Sequence, residues 1–328
     1  MIQSRRRKDR VPRRLKPTVD IVLPLYNEAD VFEHTYRGLR NVIDSLPHQF
    51  TIYCVDDGST DGTPDLLRRL AKRNTGIRVI ELSRNFGHQA ALTAGLEAAK
   101  GDIVITMDGD GQHPPELIPK MLELVGQGYD IVQGQRADSI EAGAFKRWTS
   151  GGFYQFLNLI SGTHVMPGAA DFRALSRQAV EALHAMPEYH RFLRGMISWM
   201  GYPSVILPYR EPRRIAGRSK YSLGKMIRLA LVAVFSFSLA PLYLGLSLGG
   251  VLLCLAVAEM AYVLSFWITG RTSGLAPGWS SLMFVILIVG AMLMLLLGFV
   301  GVYVGYIFQE VKRRPVFLAK KPGDHARS

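Results

Sequence analysis

Cysteine is scarce: Cys54 and Cys254 are the only two in 328 residues. That excludes a disulfide framework and a cysteine-type zinc site, and it suits a reducing, cytosolic setting for the body of the chain. No apolar run lies near Met1, which argues against a cleavable signal peptide. No Gly-x-Gly-x-x-Gly follows the first strand-like run, and Gly-x-x-x-x-Gly-Lys-Ser/Thr is absent. A dinucleotide fold and a P-loop are therefore not expected. Internal repeats and low-complexity tracts are also missing. Residues 280–308 carry no charge at all, and residues 242–268 carry only Glu259.

Charge is present elsewhere, and it is uneven. The net +12 comes from +7 in residues 1–16, +6 in 209–228 and +4 in 310–328, whereas the body, 17–208, is −5. A nucleic-acid binder would carry its positive charge on the folded body. Here it sits in a tail and beside the apolar runs, which suits an anionic membrane surface. The arginine-rich start reads equally well as a solvated arm.

Both apolar runs exceed the ~20 residues that cross a bilayer core. The short linker between them holds Gly270, Gly274, Pro277 and Gly278, with Arg271 as its one charge. Basic residues cluster outside the runs, with Arg213, Arg214, Arg218, Lys220, Lys225 and Arg228 before and Lys312, Arg313 and Arg314 after. The positive-inside rule then places both termini in the cytoplasm. Before the first run, Leu223, Ile227, Leu231 and Val234 form an apolar stripe beside Lys225 and Arg228, as in a helix lying in the membrane interface. Pro241 breaks that pattern. Glu259 either pairs within an oligomer or sits protonated. Gly245/Gly249 and Gly301/Gly305 have the spacing that lets helices approach closely.

The body alternates. Runs rich in Val and Ile at 19–23, 51–55, 78–82, 103–107 and 131–133 are separated by helical patterns at 62–72, 88–99 and 114–125. This order implies a largely parallel sheet covered on both faces, with ligands bound beyond the carboxyl ends of the strands. The polar clusters fall there: Tyr26-Asn27-Glu28, Asp56-Asp57-Gly58-Ser59, Ser83-Arg84-Asn85 and Asp108-Gly109-Asp110. If the strand conformation continues through Asp108 and Asp110, their carboxylates converge on one hard cation, Mg²⁺ or Mn²⁺, with Gln112 as a further oxygen. Such an ion would offset charge on a departing diphosphate. Asp56 and Asp57 can accept from a ribose hydroxyl or a base N–H. The same run also reads as a turn with helix capping, and both readings can hold together. His88 and His113 stand beside these motifs; His113, before Pro114-Pro115, is in a position to face the site, but a lone histidine reads first as a structural hydrogen-bonder.

Four segments together resemble glycosyltransferase family 2: Pro24-Leu25-Tyr26-Asn27-Glu28, Val55-Asp56-Asp57-Gly58-Ser59-Thr60-Asp61-Gly62-Thr63, Arg84-Asn85-Phe86-Gly87 and Asp108-Gly109-Asp110-Gly111-Gln112-His113-Pro114. Asp171-Phe172-Arg173, Arg191-Phe192-Leu193-Arg194-Gly195, Arg214-Ile215-Ala216-Gly217-Arg218-Ser219-Lys220-Tyr221 and the closing Glu310-Val311-Lys312-Arg313-Arg314-Pro315 are similar to its polyisoprenyl-phosphate branch. The likeness spans roughly residues 17–318 and leaves the basic arm outside it.

The resemblance implies an α/β, GT-A-type, mostly parallel sheet domain that binds a nucleotide sugar. An amphipathic interfacial helix and two transmembrane helices would follow it. The expected layout is an arm over 1–16, a cytoplasmic catalytic domain over 17–221, a juxtamembrane helix over 222–241, a hairpin over 242–309 and a tail over 310–328. The setting is a bacterial inner membrane and the assembly a homo-oligomer, a tetramer by family likeness, with no nucleic-acid partner. The reaction is inverting transfer of a sugar, UDP-glucose leading among donors, to a polyisoprenyl (undecaprenyl) phosphate. By the same likeness Pro24, Tyr26, Glu28, Asp56, Asp57, Arg84, Asn85, Asp108, Ser219 and Lys220 hold the nucleotide sugar. Asp108, Asp110 and Gln112 hold the metal. Arg136, Lys146, Arg147 and Ser150 meet the lipid phosphate, and Asp110, Asp171 and Arg214 carry the chemistry. Asp171 matches an acidic position proposed as a base in relatives. It reads here as orienting the acceptor or cation, or as forming a salt bridge to Arg173.

Phosphate suits the basic segment before the interfacial helix, since guanidinium and ammonium groups match its oxygens. A phosphate monoester is largely ionised near neutral pH and needs little help from a base. A processive polysaccharide synthase shares the early motifs, but its Gln-x-x-Arg-Trp segment is absent here. A non-catalytic membrane scaffold would be expected to have lost the Asp108/Asp110 pair, which is intact.

Overall fold

The computed structural model describes residues 16–137, 169–189, 191–210, 240–270 and 278–320. Two compact units divide the chain: the sheet body, which includes residues 315–320, and a unit holding two long helices.

The body begins with β1 (Thr18–Leu25), α1 (Ala29–Ile43), β2 (Gln49–Asp56), α2 (Thr63–Arg73), β3 (Ile77–Glu81), α3 (His88–Ala98) and β4 (Ile103–Thr106). After a short 3₁₀ turn come α4 (Ile118–Gly126) and β5 (Ile131–Arg136). Beyond residue 168 follow β6 (Ala169–Ser176), α5 (Arg177–His184), α6 (Leu193–Trp199) and β7 (Ser204–Tyr209). The strands form one sheet in the order β3-β2-β1-β4-β6-β5-β7. Pairing is parallel except on either side of β6, which runs antiparallel to β4 and β5. The sheet is therefore mostly parallel, as the alternating pattern predicts. β6 and β7 lie outside the expected strand runs.

The central strands are largely apolar because both faces are covered. Val19, Ile21, Val22 and Leu23 of β1 and Val104 and Ile105 of β4 are wholly buried. Helix α1 turns Val31, Phe32, Thr35, Leu39 and Ile43 inward at three- and four-residue spacing. Helix α3 lies closest to the sheet, and a Cβ on its Gly95 would run into the Val22 side chain. Burying one large apolar side chain of this kind stabilises the fold by roughly 1.5–3 kcal/mol.

The second unit holds α7 (Ala240–Ile268) and α8 (Trp279–Val311). The apolar stripe that Pro241 is expected to break lies outside the described residues, and the described part of α7 starts at Ala240. Of the proposed small-residue pairs, Gly245 alone meets a neighbour: a Cβ there would collide with Leu296 of α8. Among the described residues, the stretch Ile288–Val311 is long and apolar enough to cross a membrane. The basic arm, the interfacial helix and the Glu259 side chain lie outside what is described.

Candidate active site

Because β3, β2, β1 and β4 are parallel neighbours, their carboxyl ends share one rim. The first two loops of that rim are stitched together. Asn27 N–H donates to Ser59 Oγ, and Thr60 N–H donates to Asn27 Oδ1. Glu28 N–H donates to Thr63 Oγ1, and Asp61 accepts from Ala29 N–H and Thr63 N–H. The turn reading of this run is thus realised, whereas Gly62, the N-cap of α2, has no side-chain capping bond and Asp61 meets Thr63 from one residue earlier. Tyr26, with 39 % of its surface exposed, stands open at the end of the buried β1, in which Pro24 is enclosed.

Asp56 and Asp57 diverge in role. Asp56 ends β2, is 1 % exposed, and accepts from Ser59 N–H through Oδ1. Burial raises its pKa, while the bonds from Ser59 oppose the rise. Asp57 accepts Phe86 N–H at 2.7 Å through Oδ1 and Gly87 N–H at 2.9 Å through Oδ2. Each oxygen thus takes one bond that holds the loop after β3 and keeps a second acceptor position. On that loop the Arg84 guanidinium lies 4.1 Å over the Phe86 ring, and Arg84 and Asn85 are exposed. Gly58 has φ +66°, and a Cβ there would strike the backbone of Arg84 and Asn85. Glycine is what lets the two loops close up.

The Asp108/Asp110 pair departs from the extended geometry expected of it. β4 ends at Thr106, and Asp110 enters a turn in which Gly111 has φ +77°. Asp110 Oδ1 accepts Gln112 N–H, and Gln112 is buried. His113 lies between the two acids electrostatically. Burial lowers its pKa most, with Asp108 and Asp110 opposing and Arg136, at the end of β5, adding to the lowering. Its Nδ1 accepts Asp108 N–H at 2.9 Å, and its ring stacks on Phe172 at 5.1 Å. That is the structural role the sequence suggests for it.

Among the described residues, no group of three or more His, Cys, Asp or Glu is placed to hold a metal. A Mg²⁺ or Mn²⁺ shared with substrate phosphates needs only one or two carboxylates. Asp108 Oδ1 is buried and accepts no hydrogen bond, with His88 Nε2 3.4 Å away, so it keeps acceptor capacity that a cation can use. The pair fits a divalent ion on that ground.

Opposite the Asp pair is a buried charge cluster. Asp171, 3 % exposed, accepts from Arg194 Nε at 3.1 Å and Nη2 at 2.9 Å, and from Arg173 Nη2. Burial pushes its pKa up, but Arg194 first, then His88 and Arg173, hold it well below the usual carboxylate range. Thr106 Oγ1 fixes the Asp171 backbone carbonyl. His88, the first residue of α3, stands 3.3 Å from Asp171 Oδ2 and 3.4 Å from Asp108 Oδ1. Burial would lower its pKa, yet these two acids raise it to about 8. His88 therefore exceeds the structural part expected of it, linking Asp108 with the buried Asp171.

Arg194 and His88 had no assigned site role in the sequence, whereas the salt bridge from Asp171 to Arg173 is one of the readings it offers. Arg194 lies 23 residues from Asp171, a separation that carries no periodic signal. The expected site residues Lys146, Arg147, Ser150, Arg214, Ser219 and Lys220 lie outside the described residues.

The family model for Glycosyl transferase family 2 matches residues 20–183. The chain belongs to that family. An uncharacterized glycosyltransferase of Synechocystis sp. is 36 % identical over 92 % of this chain and 94 % of its own length. A bactoprenol glucosyl transferase of Shigella flexneri is 34 % identical over 92 % of this chain and 97 % of its own. A homologue of the latter in Escherichia coli matches equally, at 34 % over 92 % of this chain and 98 % of its own. These full-length relatives place this glycosyltransferase in the polyisoprenyl-phosphate branch. Among solved structures, glucosyl-3-phosphoglycerate synthase from Mycobacterium tuberculosis with Mn²⁺ and UDP aligns at TM-score 0.46 and 21 % identity, over 67 % of this chain and 78 % of that one.

Proposed function

We propose that this glycosyltransferase moves a sugar from a nucleoside diphosphate, UDP-glucose as leading donor, to a polyisoprenyl phosphate at the cytoplasmic face of a bacterial inner membrane. The observation that carries this reading is the shared rim: the Asp56 and 83–87 loops follow the neighbouring strands β2 and β3, and the Asp108/Asp110 turn follows β4 on the same rim beyond β1, as a nucleotide and its diphosphate require. Bactoprenol transferases among the full-length relatives supply the acceptor class.

Asp56, Tyr26 and the Arg84–Phe86 plate bind base and ribose, and Asp57 holds the loop that carries the plate. Asp108, Asp110 and Gln112 would hold a Mg²⁺ or Mn²⁺, which when bound offsets the negative charge of the diphosphate. A phosphate oxygen of the acceptor attacks the anomeric carbon from the face opposite the diphosphate. The new C–O bond forms as the old one breaks, its electron pair leaves with the nucleoside diphosphate, and the configuration inverts. Asp171 is a poor proton acceptor, since two guanidinium groups favour its charged form. Its part is positioning, which suffices because the acceptor phosphate is already ionised. Arg136, Lys146, Arg147 and Ser150 receive that phosphate, while Arg214, Ser219 and Lys220 close over the diphosphate. Helices α7 and α8 anchor the enzyme, and the anchored chains assemble as a homo-oligomer.

Purified enzyme incubated with polyprenyl phosphate, Mn²⁺ or Mg²⁺ and a panel of labelled nucleotide sugars should yield one labelled lipid. Chelator, Asp110→Asn and Arg214→Ala should each abolish it. Transfer that persists in excess chelator removes the metal from the mechanism.

A further inference from the structure

Strand β3 ends the order of the seven-stranded sheet, and such an edge exposes unpaired backbone groups. Residues 318–320, in the stretch that follows α8 in sequence but belongs to the sheet unit, meet its end in an antiparallel bridge. Leu82 faces Ala319. Ser83 N–H donates to Leu318 O at 2.8 Å, and Lys320 N–H donates to Glu81 O at 2.7 Å.

The place of this pairing matters more than its length. Leu82 and Ser83 are where the chain leaves β3 and enters the loop that presents Arg84 and Phe86. That loop has one anchor on its inner side, the Asp57 carboxylate under Phe86 and Gly87. Residues 318–320 supply a second anchor at its root. Facing residues on paired strands share a side of the sheet, so Asp56, Glu81 and Lys320 form a row across three strands. Arg68 grips Glu81 at 2.7 and 2.9 Å in the middle of that row.

We propose that residues 318–320 form a constituent segment of the donor site, positioning the 83–87 loop for the base and ribose of a nucleoside diphosphate by backbone pairing with Glu81 and Ser83. This rests on the donor reading above and extends it to a segment that reads in the sequence only as a basic tail. A strand that merely shields the edge would leave nucleotide affinity unchanged.

The test uses the full chain, UDP and GDP as parallel probes with Mn²⁺, and two substitutions. Lys320→Pro deletes the N–H that meets Glu81, whereas Lys320→Ala keeps it and deletes the amine. Lys320→Pro should weaken binding of the nucleotide that wild type prefers by about fivefold or more, as loss of one ordering hydrogen bond predicts. Lys320→Ala should stay within about twofold, by the modest worth of an exposed charge. Amide exchange in residues 83–87 should quicken in Lys320→Pro, while β1 and β4 stay protected and the KM for polyprenyl phosphate is unchanged. Wild-type affinity in Lys320→Pro overturns the proposal, as does equal weakening in both variants, which would make the amine the active element. Failure of wild type to bind either nucleotide overturns the donor reading itself, a different result from either of these.

Discussion

Arg194 meets Asp171 side-on, with Nε on one carboxylate oxygen and Nη2 on the other, at 3.1 and 2.9 Å. The planar fork matches the carboxylate in a way that a lysine cannot. Arg194→Ala should therefore cut transfer by roughly a hundredfold, if two charge-assisted bonds that order the site are lost. Arg194→Lys should recover only part of that rate. Steady-state transfer to polyprenyl phosphate is the measurement, and wild-type turnover in Arg194→Ala would leave the cluster without a catalytic part.

The same cluster sets an acid limit on stability. Asp171 has a depressed folded-state pKa, so its contribution is complete above the unfolded value of about 4 and disappears as pH falls through the folded value. Asp171→Asn leaves Arg173 buried without its counter-charge and should cost about 3–5 kcal/mol near pH 7. The gap to wild type should narrow as pH drops below about 4. Denaturant unfolding at neutral and acid pH reads both. A gap constant with pH would contradict the depressed pKa.

Gly58→Ala should weaken the donor site without touching any expected ligand atom. Its φ of +66° and the collision with the Arg84 and Asn85 backbone act together. A cost of about 1–3 kcal/mol is expected from strain of this kind. Nucleotide Kd should rise with little change in the KM for polyprenyl phosphate. Unchanged nucleotide binding would show that the two loops separate freely.

The direction of the anchor is also testable. Its basis is the sparse charge between α7 and α8 and the basic clusters on either side. A thiol tag at Gly274 should react with a membrane-impermeant reagent from the outer face alone. Labelling only from the cytoplasmic side would invert the topology.

The parallel core was legible because period, composition and turn residues agree locally. Val19, Ile21 and Leu23 announce a buried strand before anything packs on them, and Asp57-Gly58 announces a turn. The two long helices were legible for the same reason, since apolarity over their length is a property of the chain itself. Strands β6 and β7 were not. Asp171-Phe172-Arg173 places two charged residues in a sheet interior, which is tolerable only because each neutralises the other and Arg194 arrives from α6. The site divides likewise. The sequence by itself determined which rim would bear the acids, because strand polarity does so. Tertiary structure alone decided that Asp57 turns inward to hold a loop, that His88 joins Asp108 to Asp171, and that residues 318–320 reach β3. Each of these is a contact between segments distant along the chain, and such contacts leave no periodic trace because the energy that selects them exists only once the sheet has formed.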